Sequence, residues 1–323
     1  MYSVSVIVPV YDSGPFIERC VRSLFGQTLV PVEYVFVDDC SDDGSIDIVK
    51  KVLDDYPDRK NSCKFIRNKE NSGPSYSRNA GLDAATGKYI FFCDSDDWTD
   101  PLMLEKMYAA AESSGADAAM CDFMMAGDTM KRYYLPDMTE DKVGSLRRYI
   151  RFPWTVLWCM LYRRSLFEEN GIRFHTGVSY CEDFNVNVKI LSVAGKVVNI
   201  HEPLYFYNVQ NPASIMHHID RRRMYDEQRM YMDAVCWLRE AGLYEALDRE
   251  MCWRVLKSSQ ELVLDSSTYP EFLSFYPQCH RYILSCPYLN LKLKIMMWCL
   301  CHHLGAVSRL MLSIRNLRLR FAR

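Results

Sequence analysis

A chain of 323 residues, 49% hydrophobic and 25% charged, has the composition of an ordinary globular protein and is neither disordered nor fibrous. Its formal net charge of -2 hides an asymmetry: Glu271 is the last acidic residue, and residues 272–323 carry eight Lys or Arg, leaving 31 basic against 41 acidic groups before them. An acidic body with a basic, apolar tail argues against nucleic acid as a partner and for an anionic surface.

In chain order, Val4 to Val10 is a short apolar run, read as a buried strand ending in Pro9-Val10-Tyr11. A helix follows, with Phe16, Ile17, Cys20, Val21 and Leu24 inward, Ser13 as its cap and Pro15 in its first turn. Val32 to Val37 forms a second strand that ends in Asp38-Asp39, and Ile46, Val49, Val52 and Leu53 give the next helix its inner face. Lys64 to Arg67 is a third strand, and the segment from Asn71 to Gly81 enters a third helix. Tyr89 to Cys93 is a fourth strand that delivers Asp94, Asp96 and Asp97, after which Thr99-Asp100-Pro101 opens a helix; Ala118 to Phe123 is a fifth strand. Such alternation predicts an α/β fold with right-handed crossovers and a mainly parallel sheet, its ligands beyond the carboxyl ends of the strands. Each acidic cluster in this half falls at such an end.

The alternation then loosens. Residues 126–150 read as a polar excursion over the sheet, residues 153–162 are dense in aromatics, and 163–171 form a short helix closed by Gly171. Glu182-Asp183 opens another helix, two short strands cover Val197–Ile200 and Leu204–Tyr207, and from about Asp220 the pattern is helical. The expected division is 1–217, split into halves at residue 123, and a helical region 218–323. Thirteen cysteines without pairing rhythm, and no signal-peptide pattern at the start, lead us to expect reduced thiols in a cytoplasmic protein.

Three carboxylates at the mouth of a buried strand repel one another and are costly to desolvate. A hard divalent cation, Mg²⁺ or Mn²⁺, compensates them, with Asp94 and Asp96 as ligands and open positions for diphosphate oxygens; the bland alternative is an acidic helix start. Asp39 can accept the N3–H of a uracil walled by Pro9, Val10 and Tyr11, and Arg78 offers positive charge to phosphate. Against this, Asp–Gly runs make turns and Arg78 alone reads as a surface ion pair. Asp183 or Glu182 can serve as a general base, or merely cap a helix. Trp154, Trp158 and Tyr162 can stack on a sugar, although aromatics at spacing four more often form one packed helix face.

Four stretches in this order, Val4 to Tyr11, Phe36-Val-Asp38-Asp39-Cys40-Ser-Asp-Asp-Gly-Ser45, Asn71-Ser-Gly-x4-Arg78-Asn-Ala-Gly81 and Phe92-Cys-Asp94-Ser95-Asp96-Asp97, resemble family 2 glycosyltransferases. So do Tyr162 to Leu166, Glu182-Asp183, and Pro203 to Tyr207 before Ser214-Ile215; together the likeness spans about residues 3–216. It implies a GT-A fold, a nucleotide-sugar donor bound by residues 1–123, an acceptor half in 124–217, a divalent metal and inversion by single displacement. The resemblance also implies donor binding by Asp38, Asp39, Asn71, Arg78, Asp94 and Ser95, a metal on Asp94 and Asp96, and Asp183 as base with Glu182 as the alternative. Asp97 keeps a bland role, as partner of the following helix. Departures are Met160 where many relatives carry Lys, Asn208 where they carry Arg, and Cys40 in place of a common Gly; Arg163 and Arg164 are the candidates to restore the lost charge. An inert nucleotide-sugar-binding homologue is the alternative function. A nucleotidyltransferase or dinucleotide dehydrogenase is disfavoured, since Pro9 to Pro15 holds neither a basic residue nor G-x-G-x-x-G.

Ile295 to Ser308 is uncharged but, at 14 residues, falls short of the ~20 that span a bilayer. Val307, Leu310, Ile314, Leu317 and Phe321 recur at helical spacing, with Arg309, Arg320 and Arg323 roughly opposite and Arg315 and Arg318 at the apolar edge. This predicts an amphipathic helix, either lying on an anionic membrane through residues 291–323, where a glycan or lipid-linked acceptor is presented, or docked on protein.

Overall fold

A computed structural model describes residues 1–139, 141–212 and 221–321, with side chains up to Leu317. The Ser214-Ile215 pair, the expected 217/218 boundary, Arg323 and the side chains of Arg318, Arg320 and Phe321 lie outside what is described. The chain separates into two compact units, Met1–Ile219 and Asp220–Arg323.

The first unit is built on one sheet. Strands β1 (Val4–Val10), β2 (Val32–Asp38), β3 (Cys63–Arg67) and β4 (Tyr89–Phe92) are parallel, in the order β3-β2-β1-β4. Strands β1, β2 and β4 read as near-continuous apolar runs because helices cover both faces, whereas β3 at the sheet edge is half-exposed and carries Lys64 and Arg67. All of β2 and β4 is buried, and each large side chain so buried contributes about 2 kcal/mol. Helices α1 (Gly14–Phe25) and α2 (Ser45–Leu53) pack together, while α3 (Pro74–Ala84) lies on β1 and β2. It lies so close that a Cβ on Gly81 would stand 2.3 Å from Ile7 Cγ2, which explains a glycine inside this helix. From β1 the chain steps outward to β2 and β3, then returns across β1 to β4. The crevice between the β1 and β4 ends is thus a topological switch point.

Beyond β4 the topology departs from simple alternation. Strand β5 is only Trp98–Thr99, and α4 (Met103–Ser114) starts later than expected; Asp100 accepts the Leu102 N–H (2.9 Å) in the turn before it. Strand β6 (Ala118–Ala126) forms a hairpin with β7 (Met130–Tyr133), followed by α5 (Lys142–Arg151), so the "polar excursion" is half regular structure. The aromatic stretch is no helix. It runs irregularly into β8 (Met160–Arg163), which is wedged antiparallel between β4 and β6. Helices α6 (Ser165–Glu169) and α7 (Glu182–Val193) follow. The two short strands expected near 200 are one, β9 (Val197–Asn208), whose pairing with β6 shifts register beside Asp122 and so looks broken in sequence.

The second unit holds α8 (Arg221–Glu240), α9 (Tyr244–Ser258), α10 (Tyr269–Ser274), α11 (Leu291–Cys301) and α12 (Gly305–Phe321), with short 3₁₀ turns between α9 and α10 and between α10 and α11. Buried Asp248 gathers the hydroxyls of Tyr244 (2.6 Å) and Tyr282 (2.8 Å) and the guanidinium of Arg281, which ties these segments together.

Candidate active site

The site grows from strand ends. The Asp39 N–H donates to the Val10 carbonyl (2.8 Å), locking the tips of β1 and β2 together. Asp12, Cys40 and Cys181 are held at positive φ (43°, 66° and 61°), a cost of about 1–2 kcal/mol for a residue with a Cβ. All three border the loops that carry the acidic groups. The backbone at Cys40 explains why a glycine suits this position: its thiol makes only long contacts, near 4 Å, to Arg67 and the Lys69 carbonyl. Cys40→Gly is expected to stabilise the fold by roughly 0.5–1 kcal/mol in urea denaturation; a loss of stability would show that the thiol contacts matter more than the strain.

Asp39 is buried and organises the entrance to α3. Its Oδ1 accepts from Asn68 Nδ2 (2.7 Å) and the Ser72 N–H (3.0 Å), and its Oδ2 from the Gly73 N–H (2.7 Å). A carboxylate has about four lone-pair sites, so Oδ2 retains room for one more donor. Asp38 differs: the Ser41 N–H (2.8 Å) and Arg67 occupy its two oxygens, and it acts as a turn and ion-pair residue. Val10 buries its side chain, Pro9 is half-buried, and Tyr11 leaves an exposed ring at the rim. Exposed Asn71 accepts the Gly73 N–H (3.2 Å) at the same mouth.

Arg78 is neither a surface ion pair nor an unattached phosphate ligand. It is buried, one guanidinium nitrogen donating to Glu182 Oε1 (2.7 Å) and the other to Asp94 Oδ1 (3.0 Å). Among the described residues the Nε has no partner, and the group lies 5.7 Å from the Phe174 ring centre. A single side chain therefore spans the β4 end and the α7 start, 104 residues apart in sequence.

After β4 the carboxylates diverge. Asp94 is partly exposed; Asp96 accepts from Asn211 Nδ2 (2.7 Å), and burial, with the like charge of Asp94 adding to it, pushes its carboxyl above the ordinary value. Ser95 bonds Ser13 through their hydroxyls (2.6 Å), so Ser13 holds the N-cap position of α1 as expected while its side chain serves this loop. Asp97 is fully buried and accepts from the Tyr205 hydroxyl (2.6 Å) and the Asn208 N–H (2.7 Å). Its partner is β9 and not the following helix. Burial holds it well above the usual carboxylate range.

Asp183 stands in the first turn of α7, where its Oδ1 accepts the Phe184 N–H (2.6 Å) and Thr155 supplies a hydroxyl. It keeps an edge toward water but is crowded by protein; desolvation first, then Glu182, push its carboxyl up to about 8. The aromatic candidates do not surround this group as a sugar platform. Trp158 stacks on Tyr205 (4.4 Å) and Tyr207 (5.3 Å), Tyr162 is buried and bonds Asn187 (2.7 Å), and Trp154 packs against Phe123 and Tyr133.

The substitute cations are elsewhere too. Arg163 pairs across from Tyr89, at the end of β4 remote from Asp94, and binds Asp117 (3.0 Å); Arg164 binds the Gly87 carbonyl (2.8 Å) and Glu168. Met160 is buried, and Asn208 is engaged beside Asp97. Besides Arg78, a further cation beside the β4 end is Arg19, whose guanidinium lies 3.5 Å above the Trp98 ring and reaches the Asp96 carbonyl (3.5 Å). Sequence reasoning missed Arg19, Asn211, Thr155 and the Ser13–Ser95 bond. A cavity of ≈ 440 Å³ lined by Asp38, Ser41, Lys50, Phe65 and Arg67 opens beside β2 and β3; its lining includes none of the carboxylates after β4 or at α7.

A divalent cation fits this donor set. Asp94 and Asp96 each present one carboxylate oxygen beyond those bonded to Arg78 and Asn211, both are hard ligands, and their mutual repulsion is what a cation relieves. Among the described residues no cluster of three or more acidic, His or Cys side chains could hold the ion alone, so the rest of its shell would come from substrate and water.

Comparison with known proteins agrees with the resemblance. Residues 5–171 match Glycosyl transferase family 2. The uncharacterized glycosyltransferase EpsJ of Bacillus subtilis is 32% identical over 259 residues, 77% of this chain and 73% of its own. The fold superposes on S. aureus TarS 1-349 in complex with UDP-GlcNAc (TM-score 0.68, 19% identity, 97% of this chain and 91% of that one). It also superposes on the mannosyltransferase PcManGT of Pyrobaculum calidifontis in complex with GDP-Man and Mn²⁺ (TM-score 0.55, 19% identity, 98% and 87%). With a GT-A sheet, carboxylates gathered at its switch point and these likenesses, the chain belongs to glycosyl transferase family 2.

Proposed function

We propose that this transferase moves a sugar, with inversion, from a nucleotide-diphosphate donor, a UDP-sugar, to a hydroxyl of a glycan or lipid-linked acceptor in polysaccharide synthesis. One observation supports the reading: the Arg78 guanidinium joins Asp94 at the β4 end to Glu182, the neighbour of Asp183 at the start of α7. On this reading a donor-side and an acceptor-side carboxylate share one cation.

Asp39 offers its remaining lone pair to the base N3–H, with Tyr11 and Pro9 against the ring and Asn71 at the rim. Asp94 and Ser95 face the ribose and diphosphate. Asp94 and Asp96 would hold Mn²⁺ or Mg²⁺, which would supply neutralisation of the charge on the departing diphosphate. Asp183 removes the proton of the acceptor hydroxyl as that oxygen attacks the anomeric carbon from the face opposite the leaving group; the new glycosidic bond forms as the bond to diphosphate breaks. Glu182 is the weaker candidate for base, because Arg78 already holds its Oε1. The UDP-GlcNAc bound by TarS supports a UDP-sugar.

We place the reaction in the cytoplasm, with the enzyme peripheral to the inner face of the membrane through residues 291–323. No described helix is long and apolar enough to cross a membrane. The test is turnover of a panel of UDP-sugars with Mn²⁺. Asp96→Ala is expected to lower turnover at least about a hundredfold and to abolish its Mn²⁺ dependence. Equal turnover by the variant and the parent would sink the metal assignment.

A further inference from the structure

We infer that α11 and α12 form one two-helix platform that lies in the headgroup layer of an anionic bilayer, with α11 supplying apolar surface comparable to that of α12. This rests on the peripheral-membrane reading above and names the surface that performs it. The sequence assigned the surface to residues 291–323 with an amphipathic stripe only from Val307 onward; the structure adds a second outward stripe on α11.

Helix α11 is apolar on two opposite sides. Met296, Met297 and Leu300 are buried, yet Leu291, Ile295 and Trp298, at i, i+4 and i+7, form a second stripe facing water. On α12 the pattern repeats: Ser308 and Leu312 face inward, while Leu310, Ile314 and Leu317 face out. These six outward side chains are 37–71% exposed. The Ser308 hydroxyl donates to the Met296 carbonyl (2.8 Å), tying the two helices into a hairpin. A second apolar stripe on a helix whose first is already buried suits contact with lipid. At 11 residues α11 is roughly 16 Å long, too short to cross the ~30 Å hydrocarbon layer, so it suits an orientation in the interfacial plane.

Charge decides the occupant. Lys292 and Lys294 flank the α11 stripe, exposed Arg309 and Arg315 stand on α12, and no acidic residue follows Glu271. A second copy pressed onto this face would oppose basic rims with no carboxylate from the same region to pair them. Anionic headgroups satisfy both the rim and the stripe. Trp298, stacked on His302 at 4.0 Å and partly exposed, has the amphipathic character of residues that settle at headgroup depth.

The experiment is flotation of the full chain with vesicles of phosphatidylcholine alone or with phosphatidylglycerol. Two triple variants are compared, Leu291→Ser/Ile295→Ser/Trp298→Ser and Leu310→Ser/Ile314→Ser/Leu317→Ser, which change only exposed side chains. The parent is expected to float with phosphatidylglycerol vesicles and much less with phosphatidylcholine, and each triple to weaken binding about tenfold or more. Binding of the α11 triple equal to the parent's overturns the platform. So does a salt-stable dimer that both triples dissolve while flotation stays unchanged, which would identify a second copy as the occupant. Turnover of soluble UDP-sugar by the triples should match the parent's, so failure of the platform and failure of the catalytic reading are read from separate assays.

Discussion

Asp183→Asn is expected to lower the transfer rate about a thousandfold while leaving the affinity for the nucleotide donor little changed, since a positioned general base is worth 10²–10⁴. The same substitution should make the protein more stable. Desolvation and Glu182 raise the Asp183 carboxyl from its ordinary value of 3.8 to about 8, so in the folded state the charged form is disfavoured. The sign follows from linkage: a raised carboxyl contributes stability that is complete below the unfolded value and is lost as pH climbs through about 8. Asparagine carries no proton to lose. The gain should therefore be absent near pH 4, grow toward pH 8 and level off above it, reaching roughly 2 kcal/mol once screening at the water-facing edge is allowed for. Urea midpoints of both proteins across this range, beside single-turnover rates, test both halves. The parent's rate should rise with pH up to about 8 as the base deprotonates. A variant that loses stability, or retains the rate, would remove Asp183 from the role of base.

Strain between chemistry and stability at one residue is also why part of this site was visible in sequence and part was not. Strands β1, β2 and β4 are legible because burial on both faces forces continuous apolar runs, and Asp39, Asp94 and Asp96 are legible because charge placed at the end of such a run is conspicuous. Cys40 already stood out against the family's glycine, and its φ of 66° supplies the reason. What could not be read depends on distant partners. Asp97 looks like the start of a helix until Tyr205, 108 residues away, reaches it, and nothing near Asn211 announces Asp96 as its partner. The spacing of Trp154, Trp158 and Tyr162 mimics a helix face. The segment instead feeds β8, whose antiparallel insertion between β4 and β6 is a property of the sheet and not of those residues. Arg163 and Arg164 looked like spare cations for the same reason: β8 runs opposite to β4, so the end that carries them is remote from the site.

Arg78→Met should be the most damaging single change to stability, costing about 3–5 kcal/mol, because it removes a cation that pairs two carboxylates at a buried junction. Methionine fills much of the same volume, so the loss reports charge more than a cavity. Arg78→Lys should fall between the two, since an ammonium keeps the charge but lacks the planar fork that reaches Glu182 and Asp94 together. The substitution also has a signature in the chemistry. Arg78 lowers the Asp183 carboxyl, so its removal should push that group still higher and move the rising limb of the pH–rate profile to more alkaline pH. A residue that only gripped the donor diphosphate would behave differently: the donor KM would rise while the urea midpoint and the pH profile stayed in place. Measured together, these three quantities separate a bridge between the two halves of the site from a simple phosphate ligand.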